Sequence, residues 1–372
     1  MTISKINAAL ATVSDPELHK PLTELGMVES VAFESGTATL GILLTISGCP
    51  MRDRLTADIT KAVTAIAEVN AVVINFGVMS EAQRGEVKKL LRGGREKFIP
   101  FAQPDSLTRV FGIASGKGGV GKSSVTVNLA VAVANRGFKV GILDADVYGH
   151  SVPRLMGLAG QRPTAIDQTF IPLEAHGVKV VSMEMFKPDR SDPIAYRGPL
   201  LHRVLEQLLS DAYWGDLDFL FLDLPPGTGD IAISLGQLIP ASEILVVTTP
   251  QVAAAEVAER AGRIAHQLKQ HLVGVVENMS EFPCPHCGEM ISLFGKDGGE
   301  ETAARLSGLV GADVPLLAKI PFDPNLREGG DTGTPLVLRN PESSAAKALE
   351  AIADQLTLRT KSLVGVRLGL ST

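Results

Sequence analysis

The chain has 372 residues, 45% hydrophobic and 20% charged, which is ordinary for a well-cored globular protein and long enough for more than one domain. A net charge of −6 gives no bulk positive field for nucleic acid, no apolar run approaches the ~18 residues of a membrane span, and the N-terminus shows no signal-peptide pattern. Three cysteines, an odd number, argue against a disulfide framework, so the expected compartment is the cytoplasm, with neither nucleic acid nor membrane as partner.

The first stretch predicts a small α+β unit. A short N-terminal helix leads to VESVAFES (28–35) and TATLGILLT (37–45), both strand-like. Met51, Leu55, Ile59, Val63 and Ile66 share one helical face, predicting a helix over 50–69, and AVVINFGVM (71–79) predicts a further strand. Pro50 at a first helical position would make Cys49 the N-cap, where the helix dipole favours a thiolate able to accept iron or relay a cluster. A buried, inert cysteine fits equally well. EVKKLLRGGREKFIPFAQPD is basic, contains Gly93-Gly94 and ends in proline-containing coil. Residues 86–107 are therefore expected to be a solvated linker between one domain over 1–85 and another over 108–372.

From Arg109 the pattern changes to short apolar strands alternating with helical segments: VFGIAS, FKVGILD, VKVVSM, DFLFLDL, EILVVTT and LVGVVENM. Near-continuous apolar strands between helices predict an α/β domain with a mostly parallel sheet flanked by helices. Ligands of such sheets bind at the carboxyl ends of the strands, where every motif below falls. The tail KSLVGVRLGLST is apolar at 364, 366, 368 and 370, a strand period rather than that of a membrane-surface helix.

Strand VFGIAS runs into Gly116, Lys117, Gly118, Gly119, Val120, Gly121, Lys122 and Ser123, and Ser124 continues the helix that follows. This is a P-loop in its strand–loop–helix context: glycines let backbone N–H groups wrap phosphates, and the helix N-terminus adds partial positive charge. Lys122 would reach the β- and γ-phosphates of ATP, and the Ser123 hydroxyl would hold Mg²⁺. Lys117 is extra to the generic motif and lies where it could serve a nucleotide bound by a facing subunit. Two aspartates end apolar strands nearby: Asp223 suits Mg²⁺ or its water, and Asp146 suits orientation of the attacking water. Asp144 reads either as a site residue or as a surface turn. The Gly227 amide would sense a γ-phosphate, as switch segments do.

Cys284-Pro-His-Cys287 supplies two thiolates, half of what a tetrahedral zinc or an iron–sulfur cluster requires. A redox disulfide and a plain turn are the other readings, but Gly288 and the strand-like MISLF follow the pair rather than a thioredoxin-type helix. His286, between the two, reads as a solvent-facing loop residue.

GKGGVGKSS, with its leading lysine, resembles the deviant P-loop class that includes the nitrogenase iron protein, the arsenite-pump ATPase and the chromosome- and division-site-positioning ATPases. DADVYGHSVPRLMG, RGPLLHRVLEQLL, DLPPGTGD, ENMSEFPCPHCG and IPFDPNLREGGDTGTP resemble one branch, the Mrp/ApbC-type iron–sulfur cluster carrier ATPases. Residues 1–80, marked by Ser47-Gly-Cys-Pro50, resemble the small domain fused to these carriers and found in other cluster-assembly factors. His150 stands where proline is expected and Ser124 where threonine is usual, and no cysteine-rich N-terminal extension of the kind seen in some eukaryotic relatives is present.

The resemblance implies an ATP-hydrolysing homodimer in which Lys117 acts across the interface, Lys122 and Ser123 bind phosphate and Mg²⁺, Asp146 and Asp223 serve water and metal, and Asn278 contacts adenine. Across a two-fold axis Cys284 and Cys287 would meet their copies, making the four thiolates of a [4Fe–4S] cluster. Apo iron–sulfur proteins and cluster scaffold proteins are the implied partners. A positioning ATPase is the competing class, but it leaves the cysteine pair without a role.

Overall fold

Alternating side chains organise the N-terminal part of the computed structural model, which describes residues 2–358 apart from 47–50, 92–97, 147–148, 167–168, 188–197, 228–229 and 285. The chain divides into two units, Met1–Phe98 with Thr164–Ile171, and Ile99–Pro163 with Pro172–Thr372. Helix α1 (Thr2–Leu10) precedes β1 (Val28–Glu34) and β2 (Thr37–Leu44), then come α2 (Arg52–Thr64), β3 (Ala71–Val78) and α3 (Glu81–Leu91). β2 is central, antiparallel to β1 and parallel to β3. Ala38, Leu40, Ile42 and Leu44 alternate into the core of this unit, which also buries Leu55, Ile59 and Val63 of α2.

Two expectations change here. Helix α2 begins at Arg52 with Met51 at its N-cap, so the N-cap is not Cys49. Cys49 itself lies outside the described residues, as does the tail from 359. Residues 86–91, expected to be linker, form the second half of α3. Ser80 and Gln83 exchange hydrogen bonds that cap this helix, and Val87 is buried along it. Capping and one buried contact outweigh the local charge.

In the second unit β4 (Arg109–Ser115), α4 (Lys122–Asn135), β5 (Val140–Asp144) and α5 (Val152–Leu155) come first. The two-residue strands β6 (Ala165–Ile166) and β7 (Thr169–Phe170) then form a hairpin that belongs to the first unit. There the Thr164 hydroxyl donates to Glu17 at 2.9 Å, and burial pushes the Glu17 carboxyl up. The second unit resumes with β8 (Leu173–Ala175), β9 (Val178–Ser182), α6 (Gly198–Ser210), β10 (Phe219–Asp223), α7 (Asp230–Leu238), β11 (Glu243–Thr248) and α8 (Val252–Gln267). It ends with β12 (His271–Asn278), β13 (Phe282–Pro283), β14 (Met290–Ile291), α9 (Gly298–Val310), β15 (Leu316–Ile320), α10 (Pro324–Thr332), α11 (Leu336–Arg339) and α12 (Ser344–Leu358).

Among the described residues eight strands form its sheet, in the order β15-β12-β11-β4-β10-β5-β9-β8, all parallel except β8. Phe111, Ile113, Phe219 and Phe221 line one face in a core shared with α4 and α12, and the Phe111 and Phe221 rings stack at 5.5 Å. Truncating one such ring to alanine would cost about 3–5 kcal/mol. The other face buries Leu220 and Leu222, and Gly112 has no room for a Cβ, which would fall 2.8 Å from Ile244 and 2.9 Å from Leu235. Helix α4 is buried on every side and so shows no amphipathic stripe. The central strand β4 thus delivers its carboxyl end, at Ser115, to the start of α4. No described helix is long and apolar enough to cross a membrane.

Candidate functional site

Gly119 and Gly121 take left-handed backbone angles, φ +81° and +79°, turning the chain sharply between β4 and α4. Gly121 is the N-cap of α4 and has no side chain to cap it, so the helix presents backbone N–H groups and its positive end to the loop. A Cβ on Gly121 would fall 2.3 Å from the Asn278 amide nitrogen, so glycine is required there twice over. That amide donates to the Val120 carbonyl at 2.9 Å and ties the end of β12 to the loop. The Asn278 Oδ1 acceptor is buried with no hydrogen-bond partner.

Beneath the loop lies a buried charge cluster. Lys122 Nζ meets Asp223 Oδ1 at 2.5 Å, with the two side chains 6% and 0% exposed. Ser123 donates to the other Asp223 oxygen at 2.5 Å and Thr126 to the first at 3.1 Å. Asp144 is 1% exposed and accepts from the amides of Asp146 and Val152 and from the Ser182 hydroxyl. Burial first, and then the Asp223 charge, push the Asp144 carboxyl well above the usual range, against the pull of Lys122. A surface-turn role for Asp144 is ruled out by this burial. Its place is as the anchor of the loop that carries Asp146, whose own Oδ1 accepts from the Gly149 amide at 2.9 Å. Lys117 reaches the Gln251 side chain at 2.6 Å. The Gly227 amide donates to the Ser115 carbonyl at 2.8 Å.

The cysteines sit on a separate hairpin. β13 and β14 pair antiparallel, with Phe282 opposite Ile291 and Pro283 opposite Met290. The Cys284 amide donates to Glu289 O at 2.8 Å, and Gly288 donates back to Cys284 O at 2.9 Å with φ +75°. Interaction with the backbone N–H groups of Cys287 and His286, and then with the Cys287 thiol, holds the Cys284 thiol below its usual range. Thiolate-favouring amides in a tight turn are what a metal-ligating pair needs. The turn also closes a hairpin rather than opening a helix, which disfavours the redox reading. Among the described residues no group of three or more His, Cys, Asp or Glu could share a metal ion. Because a lowered pKa leaves more thiolate at neutral pH, Cys284 should alkylate at pH 7 faster than an unperturbed cysteine peptide. Site-resolved mass spectrometry after iodoacetamide pulses measures this, and a rate equal to the peptide's would contradict the lowered Cys284 pKa.

The residues 106–357 match the family model described as the NUBPL iron-transfer P-loop NTPase, and residues 3–75 match that of an iron–sulfur cluster assembly protein. The chain belongs to the iron–sulfur cluster carrier family of P-loop NTPases. It is 56% identical over 367 residues to an iron–sulfur cluster carrier protein of Mycobacterium tuberculosis, covering 98% of this chain and 96% of that one. A protein of the same name from Deinococcus radiodurans is 40% identical over 359 residues, 95% of each chain. Among solved structures, a nucleotide-binding protein of Archaeoglobus fulgidus in complex with ADP is 34% identical, with a TM-score of 0.54 over 66% of this chain and 96% of that one.

In this carrier-family chain the fold brings Lys122, Ser123 and Asp223 together, sets Asp146 and Gly227 on loops leaving neighbouring strands, and joins Asn278 to the P-loop. Three polar residues of the same region escaped sequence reasoning: Gln251, Thr126 and Ser182. Thr126 sits one helical turn after Lys122, a spacing that would have found it. Gln251 and Ser182 carry no local signal, because their partners are 134 and 38 residues away in the chain.

Proposed function

We propose that the chain is a cytoplasmic, ATP-hydrolysing homodimer that assembles a labile [4Fe–4S] cluster on Cys284 and Cys287 of both copies. It would take the cluster from scaffold proteins and hand it to apo-proteins. The observation that carries the reading is the cysteine turn, where the Cys284–Glu289 and Gly288–Cys284 backbone hydrogen bonds close a β-hairpin around two thiols, half of a four-thiolate ligand set. In this reading residues 108–372 are the carrier domain and 1–85 the assembly-associated module, with Cys49 as a candidate relay.

At the P-loop, the N–H groups from Gly116 to Ser124 and the N-terminus of α4 cradle ATP phosphates, and Lys122 exchanges Asp223 for phosphate oxygens. The Ser123 hydroxyl and the Asp223 carboxylate, 2.5 Å apart, are hard oxygen donors of the type Mg²⁺ takes. When bound, that ion would supply charge neutralisation on the phosphates. Asp146 orients water, Lys117 leaves Gln251 to meet the facing subunit's nucleotide, and the Gly227 amide leaves the Ser115 carbonyl for a γ-phosphate. The unpartnered Asn278 Oδ1 suits the exocyclic amine of adenine. Asn278 also links the sites: it grips Val120 from the end of β12, and Cys284 follows six residues later in the chain. Tightening of the P-loop would therefore pull on the strand that leads to the cysteine hairpin.

The test is direct handover. The full chain is loaded anaerobically with iron and sulfide, then mixed with an apo four-iron acceptor in excess ferrous chelator, with and without MgATP. Acceptor activity that appears despite the chelator supports a carrier. A loaded protein that surrenders its iron to the chelator alone would refute it.

A further inference from the structure

We propose that Ser182 is a positioning residue for ATP hydrolysis, holding the Asp144 carboxylate in the orientation that places Asp146. The proposal deepens the ATPase reading and rests on it. Ser182 ends β9, a strand that otherwise reads Val178, Lys179, Val180 and Val181, and it is 0% exposed. A hydroxyl buried in such company costs free energy unless it is hydrogen-bonded. β9 pairs in parallel with β5, and the register sets Ser182 directly beside Asp144. The Ser182 hydroxyl lies 3.2 Å from Asp144 Oδ2.

The direction of that hydrogen bond is set by a second one. Ser182 caps the 3₁₀ turn Met183–Phe186, and its Oγ accepts from the Glu184 amide at 3.3 Å. With that amide on one lone pair, the single hydroxyl proton goes to Asp144. Asp144 takes two further donors, both from the chain that follows it: the Asp146 amide at 3.2 Å on Oδ1 and the Val152 amide at 3.4 Å on Oδ2. One carboxylate therefore fixes two points of the backbone around Asp146. The β5 strand holds the Asp144 backbone, but rotation about its Cβ–Cγ bond is a broad torsion. Of the three donors, Ser182 is the one from a neighbouring strand, so it ties that rotation to the sheet.

Position in the sheet decides which kinetic constant should respond. The phosphate cradle is built by the end of β4, the P-loop and the start of α4. In the sheet β10 and β5 stand between β4 and β9, and Ser182 is wholly buried, so it is no ligand contact itself. Loss of its hydroxyl should leave nucleotide binding alone and loosen the residue that orients water. Misplacing a positioned group by about 1 Å costs up to about 10²-fold in rate. A rotated carboxylate that keeps both backbone amides moves Asp146 by less, which sets the expected loss nearer tenfold.

The experiment measures phosphate release from MgATP by the full chain. Ser182→Ala should lower kcat roughly tenfold with KM within about twofold of the parent, and Ser182→Thr, which restores the hydroxyl, should recover most of the rate. Ser182→Cys keeps the volume but donates weakly, so it should match the alanine variant and repeats the test if alanine unsettles the fold. Adding Ser182→Ala to Asp146→Asn should change kcat by less than about twofold, because the residue it positions is already disabled. A merely structural serine would slow both backgrounds equally, and that result would overturn the proposal. So would a parental kcat in the alanine and cysteine variants, or a raised KM with kcat unchanged. A parent chain that hydrolyses no ATP, or an Asp146→Asn variant with parental kcat, would instead remove the ATPase reading on which the proposal stands.

Discussion

Lys122→Ala should lower the melting temperature measured without added nucleotide by about 6–12 °C, the shift expected for the loss of roughly 3 kcal/mol in a domain of this size. The substitution takes the cation from a pair whose side chains are 6% and 0% exposed, and it leaves two buried carboxylates, Asp223 and Asp144, in one another's field. Breaking one side of a buried pair strands the other charge, which is why the cost exceeds that of a surface ion pair. Lys89→Ala supplies the contrast. Its partner is Glu86, the two are 71% and 73% exposed, and the change should stay within about 0.5 kcal/mol. Adding Asp223→Asn to Lys122→Ala should restore part of the lost stability, because a neutral amide no longer needs the cation. ATP turnover should fall about 10²–10³-fold in Lys122→Ala, as when a preorganised charge donor is removed from a transition state. Calorimetry and a phosphate-release assay read the two effects. An unchanged melting temperature would mean that the Lys122–Asp223 contact carries no net stabilisation.

Cys287→Ser should abolish iron and sulfide uptake while leaving nucleotide affinity within about twofold of the parent. The variant removes one thiolate from each copy, two of the four, and it also removes the thiol that supports Cys284 Sγ. Cys284→Ser should cost as much, and the double variant little more, since the four sulfurs act as one site. Separate elements hold the two chemistries: the P-loop lies between β4 and α4, the thiols on the β13–β14 hairpin. Loss of ATP binding together with the cluster would contradict that separation.

Much of this was legible in the sequence because the signals are local. VFGIAS followed by a glycine loop and a helix predicts the P-loop, and it is found between Ser115 and Lys122. The parallel sheet follows from near-continuous apolar strands, whose two faces are both covered. Other features rest on distant contacts. The hairpin at 165–170 joins the first unit through packing that leaves no periodicity in its few residues. Asp144 resembles any strand-end aspartate until Ser182 and the amides of Asp146 and Val152 close around it. The start of α2 slipped from the expected Cys49 cap to Met51, because a single proline is a weak boundary signal. Basic residues at 88–89 suggested coil, yet they occupy the last turn of α3, where the helix dipole favours them.

The most direct measurement is iron, acid-labile sulfide and zinc per chain after anaerobic reconstitution, with the molar mass taken on the same sample. The account predicts a dimer holding about four iron and four sulfide and negligible zinc. Zinc without sulfide would contradict it and leave Cys284 and Cys287 as a metal clasp on a nucleotide-driven switch.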